Sequence, residues 1–284
     1  MSLVPTRDLI ARAYAEHRGV AAFNVITLEH AEAIVRGAEQ AGGEVILQIS
    51  QNAVAFHRAA RPLVAACQAL AASCSVPASL HLDHVDDTTL LHQAAELGFS
   101  SVMFDGSSLA HHDNIAVTAA ASSWAHSNGL FVEAELGEIG GKDGAHAPGA
   151  RTDPLDAASY VADTAVDALA VAVGSSHAMT TRDAHVDLDL ITALRKAVDV
   201  PLVLHGSSGV PSAELRASVA AGMTKINVGT LLNVAFSSSI AGAAALGLPT
   251  DPRRYLRPAR DAMTAAVARL MTELAEHDAV SGCR

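Results

Sequence analysis

Short apolar segments alternate with longer alanine-rich segments of helical period from near the N-terminus to about residue 235. This alternation predicts eight strands, at residues 20–24, 45–49, 78–82, 101–104, 130–135, 168–173, 202–204 and 225–228. It predicts helices at 28–40, 59–72, 88–97, 110–127, 154–164, 188–197 and 212–221, and a last helical stretch, broken near residue 247, that continues to about residue 276. Continuously apolar strands are typical of a parallel sheet covered by helices. We therefore predict one α/β domain over residues 1–284, a (β/α)8 TIM barrel with a C-terminal helical extension, with a doubly wound open sheet as the alternative.

Composition limits the partners of such a domain. Half of the residues are hydrophobic and only 17% are charged, which excludes a disordered chain. The charges sum to 19 − 30 = −11 with no basic stretch, which argues against nucleic acid or an anionic membrane surface as a partner. No apolar run reaches the roughly 18 residues of a membrane span. Because the first residues also lack a signal-peptide core, we expect a cytoplasmic protein. The three cysteines show no CxxC spacing and are expected to be reduced thiols.

Metal-ligand and acid/base side chains stand at the carboxyl ends of the predicted strands. That end of a TIM barrel carries the active site. The side chains are Ser50, Asp83, His84, Asp105, Glu135, His177, His205 and Asn227. Three imidazoles, from His84, His177 and His205, would meet at one mouth and match a catalytic zinc site with an open coordination position.

The neighbours of these histidines allow two interpretations. Asp83 could transfer protons or could orient His84, and Asp105 with Glu135 could form a further carboxylate site or be solvated acids. We expect His81 to be a buried, hydrogen-bonded histidine rather than a fourth ligand. Most of the other histidines are expected to be solvated surface residues, namely His17, His30, His92, His111, His112, His126, His146, His185 and His277.

Two glycine- and hydroxyl-containing segments follow the last two strands, where TIM barrels commonly bind phosphate. They are HGSSG at 205–209 and NVGT at 227–230. Small residues let backbone N–H groups approach an anion, and Ser207, Ser208 and Thr230 add hydroxyl donors. The sequence thus predicts a phosphorylated ligand. A third segment, residues 137–153 with five glycines, is predicted to be a functional lid or a disordered excursion.

Seven segments together resemble one family. They are AFNV at 22–25, HLDH at 81–84, EAELGEIGGKDG at 133–144, the strand ending at His177, LHGSSG at 204–209, KINVGT at 225–230 and DPRRYLRPARDAM at 251–263. In this order and over nearly the whole chain, they resemble the class II, metal-dependent ketose-bisphosphate aldolases of the tagatose- and fructose-1,6-bisphosphate type. The resemblance implies zinc-dependent, reversible cleavage of such a ketose into dihydroxyacetone phosphate and glyceraldehyde 3-phosphate.

The resemblance also implies roles for individual residues. His84, His177 and His205 would be the zinc ligands, Asp105 and Glu135 an alternative position for a divalent ion, and Asp83 the acid/base at the C4 hydroxyl. Asn227 would help to hold the enediolate, and Asp143 would be the acid of a mobile loop. The substrate and its phosphate groups, with a monovalent cation (Na⁺ or K⁺) nearby, would contact Ser50, Ala178, Gly206, Ser207, Ser208, Asn227, Val228, Gly229 and Thr230. Arg253 would reach the substrate phosphate of a neighbouring subunit, which implies a homodimer or homotetramer.

Four positions depart from the family pattern. Val85 and Ala178 stand where the family usually has glycine, and Asp143 stands where it has the longer glutamate. A shift of about 1 Å in a proton-transfer group can cost on the order of 100-fold in rate. Gly229 replaces an aspartate common in the fructose-specific branch, which favours the tagatose type.

Alternative functions make different demands on the sequence. A Schiff-base aldolase needs a desolvated lysine on a strand, and Lys225 is the candidate. A metal-dependent hydrolase of the common barrel type needs an HxH motif after the first strand, which AFNV lacks. The HxHxDH type needs a histidine at position 79, where this chain has Ser79. The remaining alternatives are an aldolase for another phosphorylated sugar or sugar acid, and a non-catalytic sugar-phosphate-binding barrel.

Overall fold

A closed parallel barrel forms the centre of the protein. The computed structural model describes residues 2–136, 151–176 and 179–275. In these residues the strands are β1 (Val20–Asn24), β2 (Val45–Ser50), β3 (Ala78–Val85), β4 (Ser101–Phe104), β5 (Phe131–Leu136), β6 (Ala168–Val171), β7 (Leu202–Leu204) and β8 (Met223–Val228). Each strand pairs in parallel with the next one along the chain, and β8 closes on β1. The predicted TIM barrel is therefore confirmed and the open sheet is not.

Helices cover the outside of the barrel and one of its ends. They are α1 (Thr6–Ala15), α2 (Leu28–Ala41), α3 (Gln51–His57), α4 (Arg61–Ser73), α5 (Thr88–Leu91), α6 (Ala94–Leu97), α7 (His111–Ser127), α8 (Pro154–Thr164), α9 (Leu188–Ala197), α10 (Ser212–Ala221), α11 (Thr230–Ala245) and α12 (Arg253–Ala275). Aspartate side chains accept from backbone N–H groups at the starts of α5, α8 and α9. Within the described residues, no helix combines the length and the apolar character that crossing a membrane requires.

The helices differ from the prediction in three places. Helices α1 and α3 were not predicted, and the segment predicted as one helix at 88–97 is divided into α5 and α6. His30 is also not a surface residue: it is buried in the first turn of α2, where its ring lies 3.0 Å from the Thr27 hydroxyl. A side chain that caps its own helix and packs against Phe236 has no free face for solvent.

The interior of the barrel changes from apolar to polar along its axis. At the amino ends of the strands, Leu9 and Ile10 of α1 pack against inward-facing residues such as Val20, Phe131 and Val203. Above them lies a buried layer of ionisable side chains from β3, β5 and β8, together with His205 directly after β7. Because α1 closes the lower end, access to this layer is from the carboxyl ends of the strands.

The carboxyl end of β3, which carries Asp83 and His84, has an irregular backbone. Pairing of β3 with β4 shifts register between Leu82 and Val85, and His84 between them has a φ of 49°. A bulge of this kind re-aims a side chain, and a positive φ is uncommon for a residue other than glycine. Here the bulge directs the His84 ring toward Asp105, while Val85 returns to the core opposite Phe104.

Candidate active site at the barrel mouth

A cavity opens at the carboxyl ends of the strands. It is lined by Asn24, Ile26, Gln48, Ser50, Asn52, Asp83, His84, Ser176, Gly206, Ser208, Asn227, Gly229, Thr230 and Asn233. Six strands or the loops that follow them contribute to this wall, so the site depends on closure of the whole barrel. Eight of the predicted site residues lie on the wall, namely Ser50, Asp83, His84, Gly206, Ser208, Asn227, Gly229 and Thr230.

Three side chains in the mouth can offer donor atoms to one metal ion. Ligand atoms of His84, Glu135 and His205 lie within 4.8 Å of one another. Imidazole nitrogens and a carboxylate oxygen are donors that zinc accepts, and three protein ligands leave one position open. The rings of His84 and His205 meet edge to face, with 4.9 Å between their centroids. His177, the third predicted imidazole ligand, lies outside the described residues, as do Ala178 and Asp143.

His205 is held between two carboxylates. Its Nδ1 lies 3.0 Å from Oε2 of Glu135, and its Nε2 lies 3.0 Å from Oε1 of Glu133. Burial by itself lowers the pKa of this imidazole, but the two hydrogen-bonded carboxylates outweigh burial and raise the pKa to about 9. In the metal-free protein at neutral pH, His205 is therefore an imidazolium.

Asp105 orients the second imidazole. Its Oδ2 lies 2.7 Å from Nδ1 of His84, and its Oδ1 accepts hydrogen bonds from the backbone N–H and hydroxyl of Ser107. Carboxylates that hold a metal-binding histidine in this manner fix the orientation of its ring. Each of the two predicted carboxylates thus contacts one imidazole: Asp105 contacts His84, and Glu135 contacts His205.

Asp83 has one carboxylate oxygen engaged and one open. The side chain of Gln48 donates to Oδ1 of Asn24 at 3.0 Å, and that of Asn24 donates to Oδ2 of Asp83 at 2.9 Å. Oδ1 of Asp83 and both side-chain polar atoms of Asn227 are buried without a hydrogen-bond partner among the described residues. Buried polar groups of this kind are costly unless a ligand or water pairs with them. Burial raises the pKa of Asp83, but the positive fields of His84 and Lys225 dominate and lower it to about 2, so Asp83 is ionised.

The two segments predicted to bind phosphate meet at the same wall. The backbone N–H of Leu231, in the first turn of α11, donates to the Ser208 hydroxyl at 3.1 Å. Gly206 has a φ of +66°, and a Cβ there would lie 2.5 Å from the Ser176 backbone. Only glycine allows this approach of the loops after β6 and β7. A helix N-terminus beside small residues is a common anion site in proteins.

Three further predicted substrate contacts lie off this wall, and their roles stay predictions. The Ser207 hydroxyl is buried and donates to the carbonyl oxygen of Asn227, so it holds the two loops together. Val228 is a buried strand residue. Arg253 lies on the surface at the start of α12, its side chain 82% exposed and paired with Asp251, and it does not line the mouth of its own chain.

Four supporting residues of the site were not predicted from the sequence, two on the mouth wall and two below it. Asn24 and Gln48 support Asp83, and Glu133 and Lys225 lie under His205. The available signal was the period of two along a strand, which places Glu133 on the same face as Glu135 and Lys225 on the same face as Asn227. His81 is confirmed as a buried histidine, with Nδ1 2.8 Å from the Ser101 hydroxyl.

Comparison with known proteins agrees with this geometry. The family profile described as fructose-bisphosphate aldolase class-II matches residues 4–279. The YdjI aldolase from Escherichia coli K12 is 29% identical, with 96% of this chain and 97% of that chain covered at a TM-score of 0.84. A protein from Coccidioides immitis, provisionally assigned as a fructose-1,6-bisphosphate aldolase, is 27% identical over 95% and 96% of the two chains at a TM-score of 0.85. The fructose-bisphosphate aldolase of Campylobacter jejuni, at 20% identity, shares the fold over 96% and 95% of the chains with a TM-score of 0.79. A profile match over nearly the full length, on a barrel whose mouth gathers histidine, carboxylate and glycine-loop groups, shows that this chain belongs to the class II fructose-bisphosphate aldolase family.

Proposed function

We propose that this protein is a zinc-dependent aldolase that reversibly cleaves fructose- or tagatose-1,6-bisphosphate into dihydroxyacetone phosphate and glyceraldehyde 3-phosphate. One observation carries the proposal: the metal donor group of His84, Glu135 and His205 lies beside Asp83, whose buried Oδ1 has no hydrogen-bond partner among the described residues. Aldol cleavage needs an electrophile at the ketone and a base at the C4 hydroxyl, and this mouth offers residues for both.

The residues present fit a zinc ion. Ligand atoms of two imidazoles and a carboxylate lie within 4.8 Å of one another, and the family resemblance adds His177, which follows Ser176 of the mouth wall. When bound, zinc would polarise the ketone carbonyl of the substrate as a Lewis acid. The second divalent position that the family resemblance assigns to Asp105 and Glu135 is also part of this proposal.

Asp83 is the proposed base. Its low pKa keeps it ionised, and its Oδ1 faces no donor among the described residues, so it can accept the proton of the C4 hydroxyl. The chain Gln48–Asn24–Asp83 holds the other oxygen in place. The unpartnered amide of Asn227 can donate to an oxygen of the substrate as negative charge develops there.

The phosphate of the ketone half would lie against the loops after β7 and β8. Gly206, Ser208, Gly229 and Thr230 line the mouth there, and the N-terminus of α11 adds its backbone N–H groups. A monovalent cation among the neighbouring carbonyl oxygens belongs to this proposal too.

A neighbouring copy would supply the second phosphate contact. Arg253 is exposed at the start of α12, beside Arg254 and Arg257, and is absent from the mouth wall of its own chain. We place it at the mouth of a partner in a homodimer or homotetramer. Arg253→Ala is expected to raise KM for a bisphosphate substrate and for glyceraldehyde 3-phosphate, and to leave KM for dihydroxyacetone phosphate unchanged.

One experiment tests the proposed reaction. Zinc-loaded protein is incubated with dihydroxyacetone phosphate and a panel of aldehydes, and the ketose phosphates formed are identified by NMR, including their configuration at C4. Activity is expected to disappear on treatment with EDTA and to return with zinc. Failure to form a product from any aldehyde, together with unchanged proton exchange at C1 of dihydroxyacetone phosphate, would overturn the proposal in favour of a sugar-phosphate-binding protein.

A separate trapping experiment distinguishes metal chemistry from Schiff-base chemistry. Lys225 is 1% exposed and ion-paired to Glu133, and it does not line the mouth, so a ketone cannot reach it without reorganisation of the barrel interior. Borohydride in the presence of dihydroxyacetone phosphate is expected to leave the protein unlabelled. Covalent trapping on Lys225 would contradict the metal mechanism.

A further inference from the structure

A fully buried ion pair lies beneath the candidate metal site. Lys225 and Glu133 are 1% and 0% exposed, and Nζ of Lys225 donates to Oε2 of Glu133 at 2.7 Å. Burying two charges costs several kcal/mol per ion unless their pairing is very good. An ion pair of this kind stabilises a fold only weakly, so its position beneath the candidate metal site requires another explanation.

The two oxygens of Glu133 have different partners. Oε2 accepts from Lys225, and Oε1 lies 3.0 Å from Nε2 of His205. An ionised carboxylate can only accept hydrogen bonds, so Nε2 of His205 must carry a proton. The other ring nitrogen, Nδ1, lies on the side of Glu135, which belongs to the metal donor group, whereas Glu133 does not.

A polar chain holds Lys225 from below. Nε2 of His81 lies 3.5 Å from Nζ of Lys225, Nδ1 of His81 lies 2.8 Å from the Ser101 hydroxyl, and that hydroxyl donates to Thr6 of α1. Because the Ser101 proton is used toward Thr6, its oxygen accepts from Nδ1–H of His81. Nε2 of His81 is then an acceptor for Lys225, so each bond in the series from α1 to His205 pairs one donor with one acceptor.

We propose that Glu133 and Lys225 are positioning residues that fix His205 as the Nε2–H tautomer and thereby present Nδ1 to the metal. The 2.7 Å ion pair with Lys225 holds the Glu133 carboxylate in one rotamer, and Glu133 accepts from Nε2–H of His205 when Nδ1 becomes a ligand. This inference rests on the proposed zinc site and identifies which atom of His205 would bind there. Outer partners of metal ligands typically change metal affinity by 10- to 100-fold.

The test compares zinc affinity and ring tautomer. In the double variant Lys225→Met/Glu133→Gln both charges are removed together, so no single buried charge remains. A glutamine at position 133 can accept from or donate to His205, so the tautomer is no longer fixed. We expect the Kd for zinc, measured by competition with a fluorescent chelator, to rise 10- to 100-fold. The matched control is Arg260→Met/Glu32→Gln, which removes an ion pair between α12 and α2 and should leave the zinc Kd unchanged.

A second measurement does not depend on a variant that folds. Long-range ¹H–¹⁵N correlation spectra of the histidine rings in zinc-loaded wild-type protein are expected to show the His205 proton on Nε2. A proton on Nδ1 with Nε2 bound to zinc would overturn the inference, as would an unchanged zinc Kd in a folded Lys225→Met/Glu133→Gln variant. Failure of the wild-type protein to bind zinc or form a ketose would instead contradict the proposed function.

Discussion

The Asn24 side chain donates a hydrogen bond of 2.9 Å to Oδ2 of Asp83 and leaves Oδ1 of the same carboxylate without a partner among the described residues. The two residues come from β1 and β3, so the bond spans β2, which supplies Gln48 to hold Asn24 in turn. A carboxylate fixed through one oxygen and open at the other is arranged to exchange a proton at a defined position.

Replacing Asp83 by asparagine should therefore remove most of the activity. The side chain keeps its size, but the amide cannot take a proton, and general acid–base groups typically contribute 10²- to 10⁴-fold. We expect kcat for cleavage to fall by roughly that factor, with zinc content unchanged in metal analysis because Asp83 is not in the donor group. Asp86→Asn is the matched control and should retain activity: Asp86 lies three residues along the chain and, among the described residues, hydrogen-bonds to Gln51. A kcat within about threefold of wild type in Asp83→Asn would assign the proton transfer elsewhere.

The architecture was predictable from the sequence because strand and helix periods are local properties. Strands β1, β4 and β7 have the predicted bounds, and the polar residues at strand ends do lie at one mouth. The bulge at His84 was not predictable, since HLDHV carries no glycine to mark it and the register shift depends on pairing with β4. Lys225 was identified only as a possible nucleophile, because its partner Glu133 lies 92 residues earlier in the chain.

Zinc binding is expected to release a proton from His205. Its carboxylate partners raise the pKa to about 9, so the ring is charged at pH 7, whereas a metal ion binds only a neutral imidazole. The apparent affinity should thus weaken as the pH falls from 9 to 7, by about tenfold per unit for this group. Titration calorimetry in two buffers of different ionisation enthalpy should show proton release at pH 7 that is diminished at pH 10. Heats that do not depend on the buffer at pH 7 would contradict the raised pKa.

Restoring the family glycine at position 85 should destabilise this protein. Val85 is fully buried and pairs with Phe104 after the bulge. Its removal leaves a cavity and adds backbone entropy to the unfolded chain, which together cost about 3 kcal/mol. We expect Val85→Gly to lower the free energy of unfolding in urea by that amount without raising kcat, and Val85→Ala to lower it by less. An increase in kcat for Val85→Gly would instead identify Val85 as a restraint on the His84 loop.

Substitution of Gly206 by alanine should weaken substrate binding, because the new Cβ would displace a neighbouring loop in addition to straining the backbone at Gly206. Gly206 and Gly42 share a φ of +66°, but a Cβ at Gly42 would meet nothing within 4 Å, whereas one at Gly206 would lie 2.5 Å from the backbone of Ser176. Gly42→Ala thus isolates the cost of the left-handed conformation, about 1 kcal/mol. Gly206→Ala adds displacement of the loops after β6 and β7, so we expect a larger loss of unfolding free energy and a KM for the phosphorylated substrate raised at least tenfold. If the two variants lose equal stability and both keep the wild-type KM, the contact between Gly206 and Ser176 does not shape the mouth.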